Sequence, residues 1–119
     1  MQLAGAMIFV RDLERMVRFY ADVLGLRVLE QTATWAELDA GSSRLGLHAI
    51  PGPAPGETPG PARPREHHPI RLDFGVPDVD RERARLAALG VSLLDRPWGA
   101  VDAIDPEGNV LGLRVASGG

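Results

Sequence analysis

An internal repeat is the sequence feature that most constrains the fold of this chain. Residues 35–48 run from a tryptophan through a Gly-Ser-Ser turn to Leu-Gly-Leu-His, and residues 98–114 run from a tryptophan through Asp-Pro-Glu-Gly-Asn to Leu-Gly-Leu-Arg. Gly, Pro, Asn and Asp form turns, and leucines that alternate with other residues are typical of a strand with one buried face. The repetition predicts that the same module occurs twice.

Each repeat is preceded by a strand, a helix and a second strand. Apolar residues recur at helical spacing between Asp12, a typical N-cap, and Gly25, which suits a C-terminal cap. The same signals stand at Pro77-Asp78 and at Gly90, and the helix between them is expected to carry Val79, Leu86 and Leu89 inward. The predicted fold class is therefore α+β, with two tandem βαβββ modules. Their strands are predicted at residues 6–10, 27–30, 34–39 and 44–50, and at 70–76, 91–94, 98–104 and 109–115.

The modules are separated by a stretch of different composition. Seven of the ten prolines and three glycines fall in residues 51–69. Such a sequence forms neither a helix nor an interior strand, so we predict a mobile linker with polyproline character. The domain organisation is then one domain, 1–119, with module one at 1–50 and module two at 70–115. The pair His67-His68 lies in this linker without a third ligand, so it is not predicted to bind a metal.

Composition limits the possible partners. The chain has 119 residues, enough for one domain with its own core, and it has no cysteine, which excludes disulfides and thiolate chemistry. Its net charge of −3 offers no basic excess for nucleic acid, and no apolar run approaches a membrane span. The first residues lack the pattern of a signal peptide, so a cytoplasmic protein is expected.

Four motifs resemble those of the vicinal oxygen chelate superfamily, which includes glyoxalases, extradiol dioxygenases, fosfomycin resistance enzymes and bleomycin-resistance proteins. The resemblance implies that each module curls its sheet into a half-barrel and that two modules enclose a cavity, in many relatives across a homodimer. A homodimer is therefore expected here. The motifs are Val10-Arg-Asp-Leu, Phe19-Tyr followed by Leu24-Gly-Leu, Phe74-Gly-Val-Pro-Asp78 and Asp105-Pro-Glu-Gly-Asn109.

The same resemblance places the metal ligands of metal-dependent members at four strand positions, which here are Gly5, Gly46, Arg71 and Gly112. Glycine has no side chain, and arginine is a permanent cation without a lone pair to donate. A shift of two residues would offer only His48 and Asp73 as ligands. The chain is thus identified as a member that lacks the usual metal ligands, with no metal and no cofactor expected.

Strand parity predicts which side chains face the cavity. If the leucines of both Leu-Gly-Leu motifs pack under the helices, their neighbours point into the cup. Each candidate also has a simpler interpretation: His48 can be a surface histidine, Arg71 can pair with Asp73 or Glu37, and both tryptophans can serve packing. His48, Asp73 and Glu37 are the candidate acid–base residues. The predicted ligand-binding set is Met7, Phe9, Trp35, His48, Arg71, Asp73, Trp98 and Arg114.

These residues favour a small-molecule-binding protein of the glyoxalase/bleomycin-resistance type, one that sequesters an antibiotic or a metabolite without a metal. A metal-free isomerase, lyase or cyclase is the first alternative, since an acid–base residue and an arginine near an oxyanion could support catalysis. A metal-dependent lyase or dioxygenase is the second, if the ligand positions are misassigned. An accessory interaction module whose degenerate pocket binds no ligand is the third.

Overall fold

The computed structural model describes residues 1–52 and 63–116, and these form two four-stranded sheets and two helices. Module one contains β1 (Gly5–Val10), α1 (Leu13–Arg18), β2 (Arg27–Gln31), β3 (Trp35–Asp39) and β4 (Arg44–Ala49). Module two contains β5 (Leu72–Val76), α2 (Val79–Ala88), β6 (Leu93–Asp95), β7 (Val101–Ile104) and β8 (Val110–Val115).

The two sheets have the same topology. The strand order is β1-β4-β3-β2 in the first sheet and β5-β8-β7-β6 in the second. In each sheet the first strand pairs in parallel with the last, and the remaining pairs are antiparallel. Both modules are therefore βαβββ units, which confirms the predicted fold class.

The first helix is fixed at its start by a side chain and lies on the first sheet. The Asp12 carboxylate accepts a hydrogen bond from the backbone N–H of Arg15 at 3.1 Å, which satisfies a free donor of the first turn. The helix widens into a π-helical segment, Phe19–Val23, where the N–H of Leu24 donates to the carbonyl of Phe19 at 3.0 Å. Its buried side chains are Leu13, Met16, Val17, Phe19 and Tyr20.

The second helix begins in the same way, because the Asp78 carboxylate accepts from the N–H of Arg81 at 3.1 Å. Leu86 is fully buried against the second sheet. Leu89 is 56% exposed, so the prediction that it faces inward is wrong: it follows the last helical residue, where the chain turns at Gly90. Neither helix in the described part of the chain has the length and hydropathy that crossing a membrane requires.

The turn at 105–109 of module two is bound to the first helix of module one. The Glu107 carboxylate accepts from the N–H of Arg11 at 2.8 and 2.9 Å and from the N–H of Asp12 at 2.8 Å. The Tyr20 hydroxyl donates to Asp105 at 2.7 Å. Glu107, Tyr20 and Asp105 are buried, and apolar residues of both modules pack into one core. These contacts fix the two modules against each other.

Most of the predicted linker, residues 53–62, lies outside the described residues. The described residues 63–69 are held against module two, since the N–H of Arg65 donates to the carbonyl of Gly108 at 2.7 Å. Glu66 forms ion pairs with two arginines of that module. This segment therefore contributes side chains to the surface of the second sheet.

Candidate functional site

Strand alternation places the predicted cup residues of module one on one face of the first sheet. Leu45 and Leu47 are buried in the core beneath α1, so Gly46 and His48 between and beyond them lie on the opposite face. The register extends this face to the neighbouring strands. Phe9 and Trp35 lie opposite His48, and Met7 and Glu37 lie opposite Gly46.

Three aromatic rings meet on this face. The rings of Phe9 and His48 have their centroids 5.8 Å apart, and those of Trp35 and His48 are 6.1 Å apart, both edge to face. Trp35 also covers Gly46, because a Cβ atom on that glycine would lie 2.5 Å from the Cη2 atom of the indole. The structure therefore brings Phe9, Trp35 and His48 together as an aromatic cluster, and Phe9 remains 57% exposed.

The corresponding face of the second sheet carries a network of ion pairs. The buried Asp102 carboxylate accepts from Arg71 at 3.0 Å and from Arg96 at 2.7 Å. Glu66 accepts from Arg96 at 2.6 and 3.2 Å and lies 3.4 Å from Arg71. The hydrogen bonds that Arg96 donates, first to Glu66 and then to Asp102, raise the pKa of Arg96, and Arg96 lowers the pKa of the Glu66 carboxyl from its usual 4.5.

This network corrects the expected partners of Arg71, which were Asp73 or Glu37. Asp73, Gly112 and Asp102 lie side by side on neighbouring strands. Gly112 has no side chain, and a Cβ atom there would collide with Asp73 and lie 3.7 Å from Asp102. The space above Gly112 is thus open to the acidic side chains on both sides, and Arg71 pairs with Asp102 while Asp73 pairs with Arg114 at 3.3 Å.

The three candidate acid–base residues lie on different sheets. Glu37 and His48 lie on the first sheet, where Glu37 is 3.9 Å from Arg44. Asp73 lies on the second sheet and lines a cavity of about 340 Å³ between the modules, together with Arg44 and Glu82. Neither His48 nor Glu37 lines this cavity among the described residues, so the structure does not place the three around one reacting centre.

A larger cavity, of about 650 Å³, lies between β1 and the residues that lead into β5. Three predicted ligand-binding residues, Met7, Phe9 and Arg71, line it together. The cavity also receives Arg65, His68 and Asn109, and none of the described lining residues is acidic. The remaining lining residues are Leu3, Gly5, Ala6, Ile8, Ile70, Leu72, Val110 and Leu111.

Trp98 does not lie on a strand, although the sequence predicted one from residue 98. It occupies the turn between β6 and β7 and is 75% exposed. The N–H of Arg96 donates to the carbonyl of Ala100 at 2.9 Å and Gly99 has a φ of 87°, so the chain reverses here. Gly99 adopts this left-handed conformation readily, and Pro97 cannot donate to a strand ladder. The structure therefore separates Trp98 from Trp35.

The four positions to which the resemblance assigns metal ligands, Gly5, Gly46, Arg71 and Gly112, offer no side-chain lone pair to a divalent cation. Trp35 covers Gly46, Asp73 fills the space at Gly112, and a side chain on Gly5 would collide with the carbonyl of residue 44. Arg71 contributes a cation of its own, held by two carboxylates. Within residues 1–52 and 63–116, no three His, Asp or Glu side chains are arranged to hold a metal ion.

Sequence reasoning missed five polar residues of this region. Arg65, Glu66 and His68 were assigned to the linker because of the surrounding prolines. Arg96 precedes a predicted strand and carries no motif, and Asn109 was interpreted only as a turn residue. The signal that could have found the first three was the cluster of charged residues at positions 63–68, which is unusual in a linker of Pro, Gly and Ala.

Two βαβββ modules that share a core and leave a mostly apolar cavity between them define the architecture of this chain. A family model described as the Glyoxalase/Bleomycin resistance protein/Dioxygenase superfamily matches residues 2–113. The chain belongs to this superfamily, which confirms the resemblance found in its motifs. No curated protein matches the sequence significantly.

Solved structures of several superfamily members have the same fold. A lactoylglutathione lyase from Agrobacterium tumefaciens is 22% identical with a TM-score of 0.68, over 94% of this chain and 91% of that chain. The fosfomycin resistance protein FosX from Listeria monocytogenes is 14% identical with a TM-score of 0.72, over 98% and 92%. A bleomycin resistance determinant encoded on the transposon Tn5 is 19% identical with a TM-score of 0.65, over 98% and 99%. At these identities the likeness is one of fold.

Proposed function

We propose that this protein binds a small organic molecule without the help of a metal ion. The proposal depends mainly on what occupies the four positions to which the resemblance assigns metal ligands. An indole covers one glycine, a carboxylate occupies the space at the second, a backbone carbonyl closes the third, and a paired guanidinium stands at the fourth. The cavity between the modules is nevertheless retained, at about 650 Å³, within the usual range of small-molecule sites.

The aromatic cluster of Phe9, Trp35 and His48 supports a ligand with a flat or apolar body. Aromatic faces and edges stack on such groups, and the sulfur of Met7 adapts to irregular shapes. Phe9 belongs both to the cluster and to the cavity lining, so the two form one continuous surface. Sequestration of an antibiotic, as the name of the bleomycin resistance determinant suggests for that protein, is one use of such a surface.

The first test is metal content followed by binding. The untagged protein is purified without chelators, incubated with nickel, zinc, manganese or iron, and passed through a desalting column before elemental analysis. We expect far less than one metal per chain, and the same value for the variant Arg71→Gln. About one retained metal per chain would contradict metal independence and direct attention to dioxygenase and glyoxalase assays.

The second test is titration of the metal-free protein with a panel of aromatic and aliphatic small molecules, followed by mass spectrometry of the recovered ligand. We expect micromolar binding by at least one compound, reduced about tenfold by Phe9→Ala, which removes a stacking partner. The matched control Leu89→Ala removes an exposed apolar side chain far from the cavity. Unchanged ligand supports binding, whereas a product peak would favour the metal-free enzyme.

The proposal includes a homodimer. Members of the superfamily to which the chain belongs often dimerise, and the same arrangement is proposed for this chain. Sedimentation equilibrium should give twice the chain mass of 12.8 kDa, and a monomer mass at micromolar concentration would contradict a dimer. A cytoplasmic location stays a prediction.

A further inference from the structure

We infer that the 650 Å³ cavity between the modules selects an amphipathic organic anion, a carboxylate on an apolar body, and that Arg65 and Arg71 bind the carboxylate. The inference rests on the proposed small-molecule-binding function and names the class of ligand. It follows from the distribution of charge around the cavity, the fixed geometry of Arg71 and the apolar side chains that share the lining.

The charge of the cavity is opposite in sign to that of the whole chain. The sequence contains 16 acidic and 13 basic residues, with a net charge of −3. The cavity lining nevertheless includes two arginines, a histidine and an asparagine, and no acid among its described residues. A cleft lined by one sign of charge concentrates ligands of the opposite sign. An organic cation would find no partner of opposite charge in this lining, because no described carboxylate belongs to it.

Arg71 is oriented before any ligand arrives. Its NH1 group donates to Asp102 at 3.0 Å, and its NH2 group donates to the carbonyl and carboxylate of Glu66 at 3.1 and 3.4 Å. A guanidinium has five N–H donors, so these bonds leave the Nε–H and one NH1 donor without a partner within the described residues. A planar fork held in place loses little entropy when it binds a carboxylate.

Arg65 supplies the net positive charge of the cavity, because the charge of Arg71 is already balanced by carboxylates. Arg71 and Arg96 together are balanced by Glu66 and Asp102, so the network as a whole is neutral. Arg65 has no carboxylate within ion-pair distance in the described parts of the chain. Its backbone is fixed by the hydrogen bond to Gly108, and its side chain borders the same cavity as Arg71.

Most of the other lining residues are apolar, which sets the second requirement on the ligand. Met7 and Ile70 are 51% and 69% exposed, and Leu3 and Val110 also line the cavity. A ligand that covers these exposed side chains removes apolar surface from water, which favours binding. A small inorganic anion would leave this surface bare, so an anion with an apolar body is the better match.

The experiment compares 1-naphthaleneacetate with its neutral amide, 1-naphthaleneacetamide, by isothermal titration calorimetry on the full chain. The two probes share the apolar body and differ in charge. We expect the acid to bind at least tenfold more tightly, because hydrogen bonds to a charged partner are stronger than neutral ones. Arg65→Gln and Arg71→Gln should each reduce this preference severalfold, and Arg81→Gln, an exposed arginine on α2, should leave it unchanged.

Met7→Asp is an independent variant, since it places a carboxylate on an exposed position of the cavity wall without disturbing the ion-pair network. It should weaken binding of the acid at least tenfold and that of the amide much less. Equal binding of acid and amide, or an acid preference that survives both arginine variants and Met7→Asp, would overturn the anion inference while small-molecule binding stands. If neither these probes nor any member of the wider panel binds, both the anion inference and the proposed small-molecule-binding function are refuted.

Discussion

Replacement of Glu107 tests whether its hydrogen bonds hold the two modules together. This carboxylate is 1% exposed and receives the backbone N–H groups of Arg11 and Asp12 at 2.8–2.9 Å across the module boundary. Glu107→Ala leaves both donors without a partner, and an unsatisfied buried donor costs about 1–3 kcal/mol. We therefore expect a loss of about 2–6 kcal/mol in the free energy of unfolding. Glu107→Gln retains one acceptor oxygen and should lose about 1–2 kcal/mol.

Urea denaturation followed by circular dichroism measures these changes. The matched control is Glu14→Ala on the first turn of α1, which removes an exposed acid and should cost no more than about 0.5 kcal/mol. Because both modules share one core, the expected transition remains a single one with an earlier midpoint. A Glu107→Ala protein as stable as the Glu14→Ala control would refute the assignment of this carboxylate as the bond between the modules.

Tyr20 is the only tyrosine, and burial together with the Asp105 and Glu107 carboxylates raises the pKa of its hydroxyl well above 10. The neutral hydroxyl contributes its full stabilisation below pH 10, and this contribution is lost as the pH rises toward the raised pKa. Ultraviolet absorbance should therefore show tyrosinate only when circular dichroism shows unfolding. A normal titration near pH 10 in the folded protein would contradict this expectation. Gly5→Ala should destabilise the protein more than Gly46→Ala, because the first added methyl meets backbone and the second meets the movable Trp35 ring; equal denaturation midpoints would argue otherwise. Acrylamide should quench the fluorescence of Trp98 more strongly than that of Trp35, which the variants Trp35→Phe and Trp98→Phe measure one tryptophan at a time. The reversed order would contradict the exposed position of Trp98 in its turn.

Much of the architecture could be predicted because it depends on local signals. Asp12 and Asp78 cap the helices, as their positions indicated. Alternation in both Leu-Gly-Leu stretches gave the correct buried faces, since a strand side chain can point only to one side or the other. Met7, Phe9 and Arg71 line one cavity, but parity does not account for it, because Ala6 and Ile8 of the edge strand β1 line the same cavity from the opposite parity. Parity along a strand thus predicted the buried faces of the sheets and not the lining of the cavity.

Local signals were insufficient where neighbours in space decide the outcome. The tryptophans at positions 35 and 98 look equivalent in the repeat, but the turn geometry around Gly99 moves the second one out of the sheet. Leu89 fits the helical period yet lies beyond the last helical turn. The proline content of residues 51–69 concealed Glu66, whose ion pairs with Arg71 and Arg96 require the second sheet to be assembled.

The sequence by itself determined the repeated βαβββ order, the helix starts and the faces of the strands, because each depends on residues within a few positions of one another. Only the tertiary structure decided which charges meet. Asp102 pairs with Arg71 and Arg96, which lie 31 and 6 positions away in the sequence. Glu107 accepts hydrogen bonds from residues at the start of α1 that lie 95 and 96 positions away. The first pairing depends on assembly of the second sheet and on the space left at Gly112, and the second depends on the packing of the two modules against each other. Neither of these spatial relations can be predicted from a local sequence pattern, so the chemistry of the cavity is defined only when the chain is folded.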